Sequence, residues 1–241
     1  MAGKVVNFAG IQVDNVGLSE AAEIVKHLIM SGGRHLVVTP NPEIIVACQT
    51  DNELKGIMNG ADLRVPDGIS LIVVSKILNR PLRERVSGID LLLKLVEISA
   101  RDGYRIFLLG SAPGVAEQAA QKLSVLYPEL KIAGTHDGFT LDDSSLATAI
   151  RATRPDILFV GLGAGRQEKW LDRHLAELNV PVSMVIGGSL DVIAGVKKRA
   201  PVWVQNLYIE WLYRLITEPK RWKRQLALPK FLYLTLIKKV L

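Results

Sequence analysis

The sequence predicts an α/β fold, a mostly parallel sheet covered by helices on both faces. Two observations predict it. Short apolar runs of strand length alternate with helix-period stretches along most of the chain, the pattern of parallel strands joined by crossover helices. These apolar runs end in turns rich in Gly, Pro, Asn and Asp that feed directly into the next helix, as at Thr39-Pro40-Asn41-Pro42, Pro66-Asp67-Gly68 and Gly161 to Gly165. In open sheets of this kind ligands sit at the carboxyl ends of the strands, so those turns are the first places to look for chemistry.

Taken in order, Val5 to Ile11 reads as an opening strand, and Ser19 caps a helix over Glu20 to Met30 that Gly32-Gly33 ends. Leu36 to Val38 is a strand, stopped where Pro40 disfavours helix in the residue before it. Asn41 is a good N-cap and Pro42 suits a first helical position, opening helical material to Asn59. Leu63 to Val65 is a strand broken by Pro66, and Asp67-Gly68 opens a helix through Leu78. A polar loop with Arg83, Arg85, Ser87 and Gly88 precedes a helix from Ile89 to Arg101.

Two strand–turn–helix units follow, Rossmann-like in layout. The first runs from the strand Tyr104 to Leu109 through a glycine turn into a helix ending at Tyr127. A short strand, Lys131 to Ala133, and a loop, Gly134 to Thr140, lead to a helix over Leu146 to Thr153. The second unit is the strand Asp156 to Val160, the loop Gly161 to Gly165 and a helix from Arg166 to Leu178; a last strand, Val182 to Ile186, ends in Gly187-Gly188-Ser189-Leu190-Asp191.

After Ala200-Pro201 the pattern is helical, interrupted at Pro219 and Pro229. The expected division is therefore a core over 1–196 and a basic amphipathic appendage over 197–241. That appendage holds eleven of the lysines and arginines against Glu210 and Glu218 alone, so a net charge of +6 hides a slightly acidic body with a strongly basic tail.

Composition narrows the classes. The chain has 241 residues, 49% of them hydrophobic and 22% charged, enough to bury a sizeable core. Cys48 is the sole cysteine, which excludes an internal disulfide. The start lacks the apolar centre of a signal peptide, and no apolar run approaches the ~20 residues of a membrane span, so a cytoplasmic protein is expected.

The candidate chemistry lies in the turns. Asp67, beside a glycine, reads either as a general base or as the N-cap of the next helix. Thr39 and Asn41 offer hydroxyl, amide and helix N-terminal groups to a phosphate or sugar oxygen, or are ordinary caps. Arg85 is suited to a diphosphate, as any arginine fork is, or is a solvated loop charge. Gly163, Gln167, Gly188, Ser189 and Asp191 follow the last two strands and complete the candidate substrate-binding set. The glycine loop alone would also fit an oxidoreductase, but no acid for a ribose follows at Ile186-Gly187-Gly188. His27, His35, His136 and His174 are scattered and no Asp-x-Asp occurs, so no metal or other cofactor is expected. In the tail Trp211, Tyr213, Trp222, Phe231 and Tyr233 interleave with basic residues, which suits an anionic bilayer surface; the stretch is too oily for nucleic acid. The same residues would also suit an amphipathic helix closing the core or a dimer interface.

The ordered set Thr39-x-Asn41, Val65-Pro66-Asp67-Gly68, Arg85-x-x-Gly88-x-Asp90, Phe107-Leu108-Leu109-Gly110, Gly161-Leu162-Gly163 with Gln167-Glu168 and Trp170, Gly187 to Asp191 and Arg199-Ala200-Pro201 resembles the WecG/TagA/CpsF glycosyltransferases. The resemblance implies a metal-independent, inverting transferase that uses a UDP-sugar. Its best-known activity moves N-acetylmannosamine to the 4-hydroxyl of N-acetylglucosamine on undecaprenyl diphosphate, in wall teichoic acid linkage; relatives move glucose or N-acetylmannosaminuronate. By the same resemblance Asp67 is the catalytic base and Thr39 and Asn41 line the donor pocket. Arg85 and Gln167 would meet sugar or phosphates, and Arg214, Arg221 and Arg224 would reach the acceptor diphosphate from a tail docked on the inner membrane face. When released, that tail would block a self-association surface. Ala164-Gly165-Arg166 stands where relatives usually carry Ser-Pro-Lys, and Leu190 where phenylalanine is common.

Overall fold

The computed structural model describes residues 5–139, 143–201, 203, 204, 212, 213, 215, 222 and 226–237. Among them the central feature is a six-stranded parallel sheet in the order β4-β3-β8-β7-β5-β6, formed by β3 (His35–Val38), β4 (Leu63–Arg64), β5 (Arg105–Gly110), β6 (Lys131–His136), β7 (Ile157–Gly161) and β8 (Val182–Val185). Side chains alternate across a strand, and the two cores divide accordingly. Leu36 and Val38, Phe107 and Leu109, and Leu158 and Val160 face one core; Val37, Ile106, Leu108, Ile157 and Phe159 face the other.

The second core is covered by α1 (Leu18–Ser31), α5 (Gly88–Asp102), α6 (Val115–Leu126) and α9 (Ser189–Ile193). The first is covered by α2 (Pro42–Ala47), α3 (Asn52–Gly60), α4 (Ile69–Ile77), α7 (Asp143–Thr153) and α8 (Arg166–Leu178). The expected α/β class and double-sided covering are therefore observed.

Several local expectations are corrected. The opening strand is a hairpin, β1 (Val5–Phe8) paired antiparallel with β2 (Ile11–Asp14), because Ala9 and Gly10 both take positive φ and turn the chain. It is fastened to β4 by Asp14, whose carboxylate accepts from the Arg64 backbone N at 2.8 Å and from its Nη2 at 3.0 Å. The cap of α1 is Gly17 rather than Ser19, and Glu84 accepts the Leu18 N–H at 2.5 Å. The Pro42–Asn59 stretch is two helices, because Asp51 Oδ1 caps a fresh start by accepting from Leu54 N at 3.0 Å. β6 continues to His136, since β5 offers a paired edge beyond Ala133.

A further helix among the described residues, α10 (Ala227–Leu232), packs on α2 and runs on as a π-helical turn over Tyr233–Ile237. Phe231 is fully buried with its ring centroid 5.9 Å from that of Phe8. The segment expected as a separate appendage thus sends a side chain into the body's own core. Among the described residues no helix is long and apolar enough to cross a membrane.

Candidate active site

The carboxyl ends of all six strands open on one cleft of about 770 Å³, within the ordinary range for small-molecule sites. Its lining comes from the turn after each strand and from the first turns of α2, α4, α5 and α8, whose backbone N–H groups carry partial positive charge.

At the β4 end, Val65 N donates to Val38 O and Asp67 N to Pro40 O, each at 3.0 Å, so the turns after β3 and β4 are bonded to each other. Val86 N donates to Pro66 O at 2.9 Å and brings the Arg85 loop alongside. The result is Asp67 half-buried in the cleft wall with its Oδ1 3.8 Å from Arg85 Nε. The cap position of α4 falls to Gly68, so Asp67 is not the N-cap residue. Thr39 lies beside α5, its Cγ2 3.4 Å from where a Cβ on Gly88 would stand. Asn41 does cap α2: its Oδ1 accepts from Ile44 N at 3.0 Å, which commits the acceptor half of the amide to the helix.

In the centre, the strand ends come too close for side chains. Gly110 has φ +126°, and a Cβ there would lie 2.3 Å from Gly161 O. Gln167 and Glu168, at the start of α8, are both buried. Gln167 Oε1 accepts from Gly187 N at 3.1 Å and its Nε2 donates to Glu168 Oε1 at 3.0 Å. Glu168 Oε2 in turn accepts from Gly165 N at 2.6 Å. This pair therefore ties the loop after β7 to the turn after β8. Burial pushes the Glu168 carboxyl above its ordinary value, against the hydrogen bonds from Gln167 and Gly165 that favour its charge. Ser189 Oγ donates to Ile186 O at 2.6 Å and shapes the same turn, and Asp191 pairs with Lys197 at 2.5 Å. Gly163 and Gly188 are exposed in the cleft lining.

The structure thus brings Thr39, Asn41, Asp67, Arg85, Gly163, Gln167, Gly188, Ser189 and Asp191 to one cavity. Arg214, Arg221 and Arg224 lie outside the described residues. Among the described residues no three His, Cys, Asp or Glu side chains converge as metal ligands would.

Sequence reasoning missed three contributors. Phe139 lines the cleft after β6, in a stretch read simply as loop. Lys198 lines it from the first residues of the expected appendage. Arg199 Nη2 donates to Asp90 Oδ1, and Ser87 Oγ to Asp90 Oδ2 at 2.5 Å, joining the 199–201 segment to the start of α5. The motifs containing Asp90 and Arg199 were visible, but nothing local shows that they bond.

With this geometry in place, the comparisons decide the family. The model of the glycosyl transferase WecG/TagA/CpsF family matches residues 6–241. The chain belongs to that family. A relative from Bacillus subtilis (strain 168) is 37% identical over 206 residues, covering 86% of this chain and 80% of the relative. One from Bacillus spizizenii (strain ATCC 23059 / NRRL B-14472 / W23) is 34% identical over 217 residues, 88% and 84% of the two chains. One from Staphylococcus aureus (strain NCTC 8325 / PS 47) is 34% identical over 230 residues, 95% and 91%. Each is named N-acetylglucosaminyldiphosphoundecaprenol N-acetyl-beta-D-mannosaminyltransferase. As a WecG/TagA/CpsF member the chain is a glycosyltransferase, and the oxidoreductase reading of Gly161 to Gly165 is set aside.

Proposed function

We propose that the protein moves N-acetylmannosamine from UDP to N-acetylglucosamine carried on a polyprenyl diphosphate, with inversion and without a metal, as in wall teichoic acid linkage or a related surface polymer. The observation that carries this reading is Asp67, set at the lip of the cleft with Arg85 beside it at 3.8 Å. The relatives' name supplies the acceptor and the sugar.

An inverting transfer needs one base and one attacking hydroxyl, with no covalent nucleophile. Asp67 takes the proton from the acceptor hydroxyl as its oxygen bonds to the anomeric carbon. The bond from that carbon to the diphosphate oxygen breaks on the opposite face, and UDP leaves with the electron pair. Arg85, Arg166 and the N-termini of α4, α5 and α8 line the cleft and are placed to stabilise the new charge. Thr39 and Asn41 flank the donor sugar, while Gln167 acts by holding Gly187 and Glu168 rather than by reaching out.

The acceptor's lipid explains an oily and basic end to the chain. Trp203, Trp222, Leu226, Tyr233 and Ile237 are each more than half exposed, a surface suited to the face of an anionic membrane. In this reading Arg214, Arg221 and Arg224 meet the acceptor diphosphate there, and the protein works as a peripheral enzyme on the inner membrane face.

The deciding experiment is Asp67→Asn with UDP-N-acetylmannosamine and lipid-linked N-acetylglucosamine. Transfer is lost while UDP still binds; near-normal turnover rules Asp67 out as base. Parallel reactions with UDP-glucose and UDP-N-acetylmannosaminuronate identify the donor by product mass. Undiminished turnover in EDTA supports the metal-free mechanism.

A further inference from the structure

Ile69, Val73 and Ile77 recur every four residues along α4 and so lie on one side of it. Leu71, Ile72 and Val74 are buried in the core. The water-facing stripe of such a helix is ordinarily polar. Here Val73 is 50% exposed and Ile77 58%. Scattered apolar residues on a surface need no explanation, but this stripe has a direction. Ile69 is half-buried and lines the cleft with Gly68 and Ser70, next to Asp67. Eight helical steps rise by ~12 Å, so the stripe leads from the lip of the cleft out to Ile77.

The charge around the stripe is of one sign. From Ile69 to Arg83 the chain has no Asp or Glu. Lys76 stands beside Ile77, and Arg80 follows the helix end, where its N donates to Ser75 O at 2.9 Å. Both are exposed. Long cationic side chains lay their stems on apolar surface and reach an anionic layer with their heads. The start of α10 repeats the arrangement. Ala227 and Leu228 line the cleft, while Leu226 and Lys230 are exposed. Phe231 anchors α10 in the same core as Leu71 and Val74. Two helices on one side of the sheet therefore start at the cleft and carry apolar and basic surface away from it.

We propose that α4 is a membrane contact made by the body itself, with Val73 and Ile77 immersed in the facing leaflet of an anionic bilayer and Lys76 and Arg80 among its lipid phosphates. Such a helix face sinks about 5–10 Å, to the boundary of headgroups and acyl chains. The inference rests on the lipid-linked acceptor reading above and adds an orientation. The side of the sheet covered by α4 and α10 lies on the bilayer, and the side covered by α6 faces water. An acceptor diphosphate at headgroup level then meets the cleft at its Asp67 end.

The test places an environment-sensitive fluorophore, nitrobenzoxadiazole, on the full chain through Val73→Cys, Ile77→Cys or Val125→Cys. Cys48 is buried and does not compete for the label, and Val125 on α6 is 81% exposed on the opposite side of the sheet. With phosphatidylglycerol-containing vesicles the labels at 73 and 77 are expected to brighten and shift to the blue, while the label at 125 does not change; pure phosphatidylcholine gives a weaker response. The double variant Val73→Gln/Ile77→Gln is expected to lose about ten-fold in vesicle affinity and in turnover of a vesicle-borne acceptor. Its melting temperature and its turnover of a short-chain, water-soluble acceptor stay unchanged. Labels at 73 and 77 that respond no more than the label at 125, on protein that still floats with the vesicles, overturn the α4 contact and leave docking to the tail alone. Equal losses on both acceptors, or none on either, overturn it too. A blue shift without vesicles that grows with protein concentration assigns the stripe to a second copy of the chain and also overturns it. A wild type that does not float with anionic vesicles overturns the membrane reading itself.

Discussion

Arg85 Nε lies 3.8 Å from Asp67 Oδ1, although the two side chains come from different turns. The backbone bond from Val86 N to Pro66 O holds the loops at this spacing, so the pair is a property of the fold rather than of two flexible tips. The catalytic role proposed for it predicts a specific result. Arg85→Gln leaves the melting temperature close to that of the wild type, while kcat falls about 10–100-fold, the worth of one charge-assisted contact in the transition state. Steady-state kinetics with a thermal melt checks both halves.

The buried Glu168 predicts a pH effect on stability. Its folded-state pKa is raised, so between glutamate's ordinary 4.5 and that higher value the folded chain holds a proton that the unfolded chain has released. Stability therefore falls as pH rises through this window. Glu168→Gln retains an acceptor for Gly165 N and removes the titration. Urea midpoints measured from pH 4.5 to 8 should fall for the wild type relative to this variant.

Gly110 predicts a packing limit. Gly110→Ala places a Cβ 2.3 Å from Gly161 O at φ +126°, a clash with backbone and a strained conformation together. The expected loss is at least about 2 kcal/mol by denaturant unfolding. UDP affinity should fall as well, since β7 must shift at the turn that lines the cleft.

The C-terminal segment predicts a contrast. Phe231→Ala empties a fully buried ring and should cost about 3–5 kcal/mol. Tyr233→Ala, at a side chain 54% exposed, should change stability within about 0.5 kcal/mol. Equal, negligible effects would mean that the segment does not close the core in solution.

The strand–turn–helix grammar was legible because prolines mark where strands stop. Pro40 and Pro66 bracket Thr39 and Asp67, so these were visible as turn residues. Which strands pair was not: β3 lies beside β8, from His35 against Val182, and no local pattern encodes that. The same blindness hid the bond between Arg199 and Asp90, and the bracing of two loops by the Gln167 amide. The hairpin was missed because alanine rarely occupies the left-handed turn position that Ala9 takes. In the tail, aromatic and basic residues on a broken helix suit a bilayer and a protein core alike, and composition could not show that Phe231 points inward.

The meeting of Phe8 with Phe231 carries a consequence for biogenesis. A ribosome adding about 5–20 residues per second delivers the second ring some 10–45 s after the first. Throughout that interval the nascent chain presents an uncovered greasy face beside its opening hairpin. A chaperone that samples incomplete polypeptides would find its binding site there, and would be displaced by the arrival of α10.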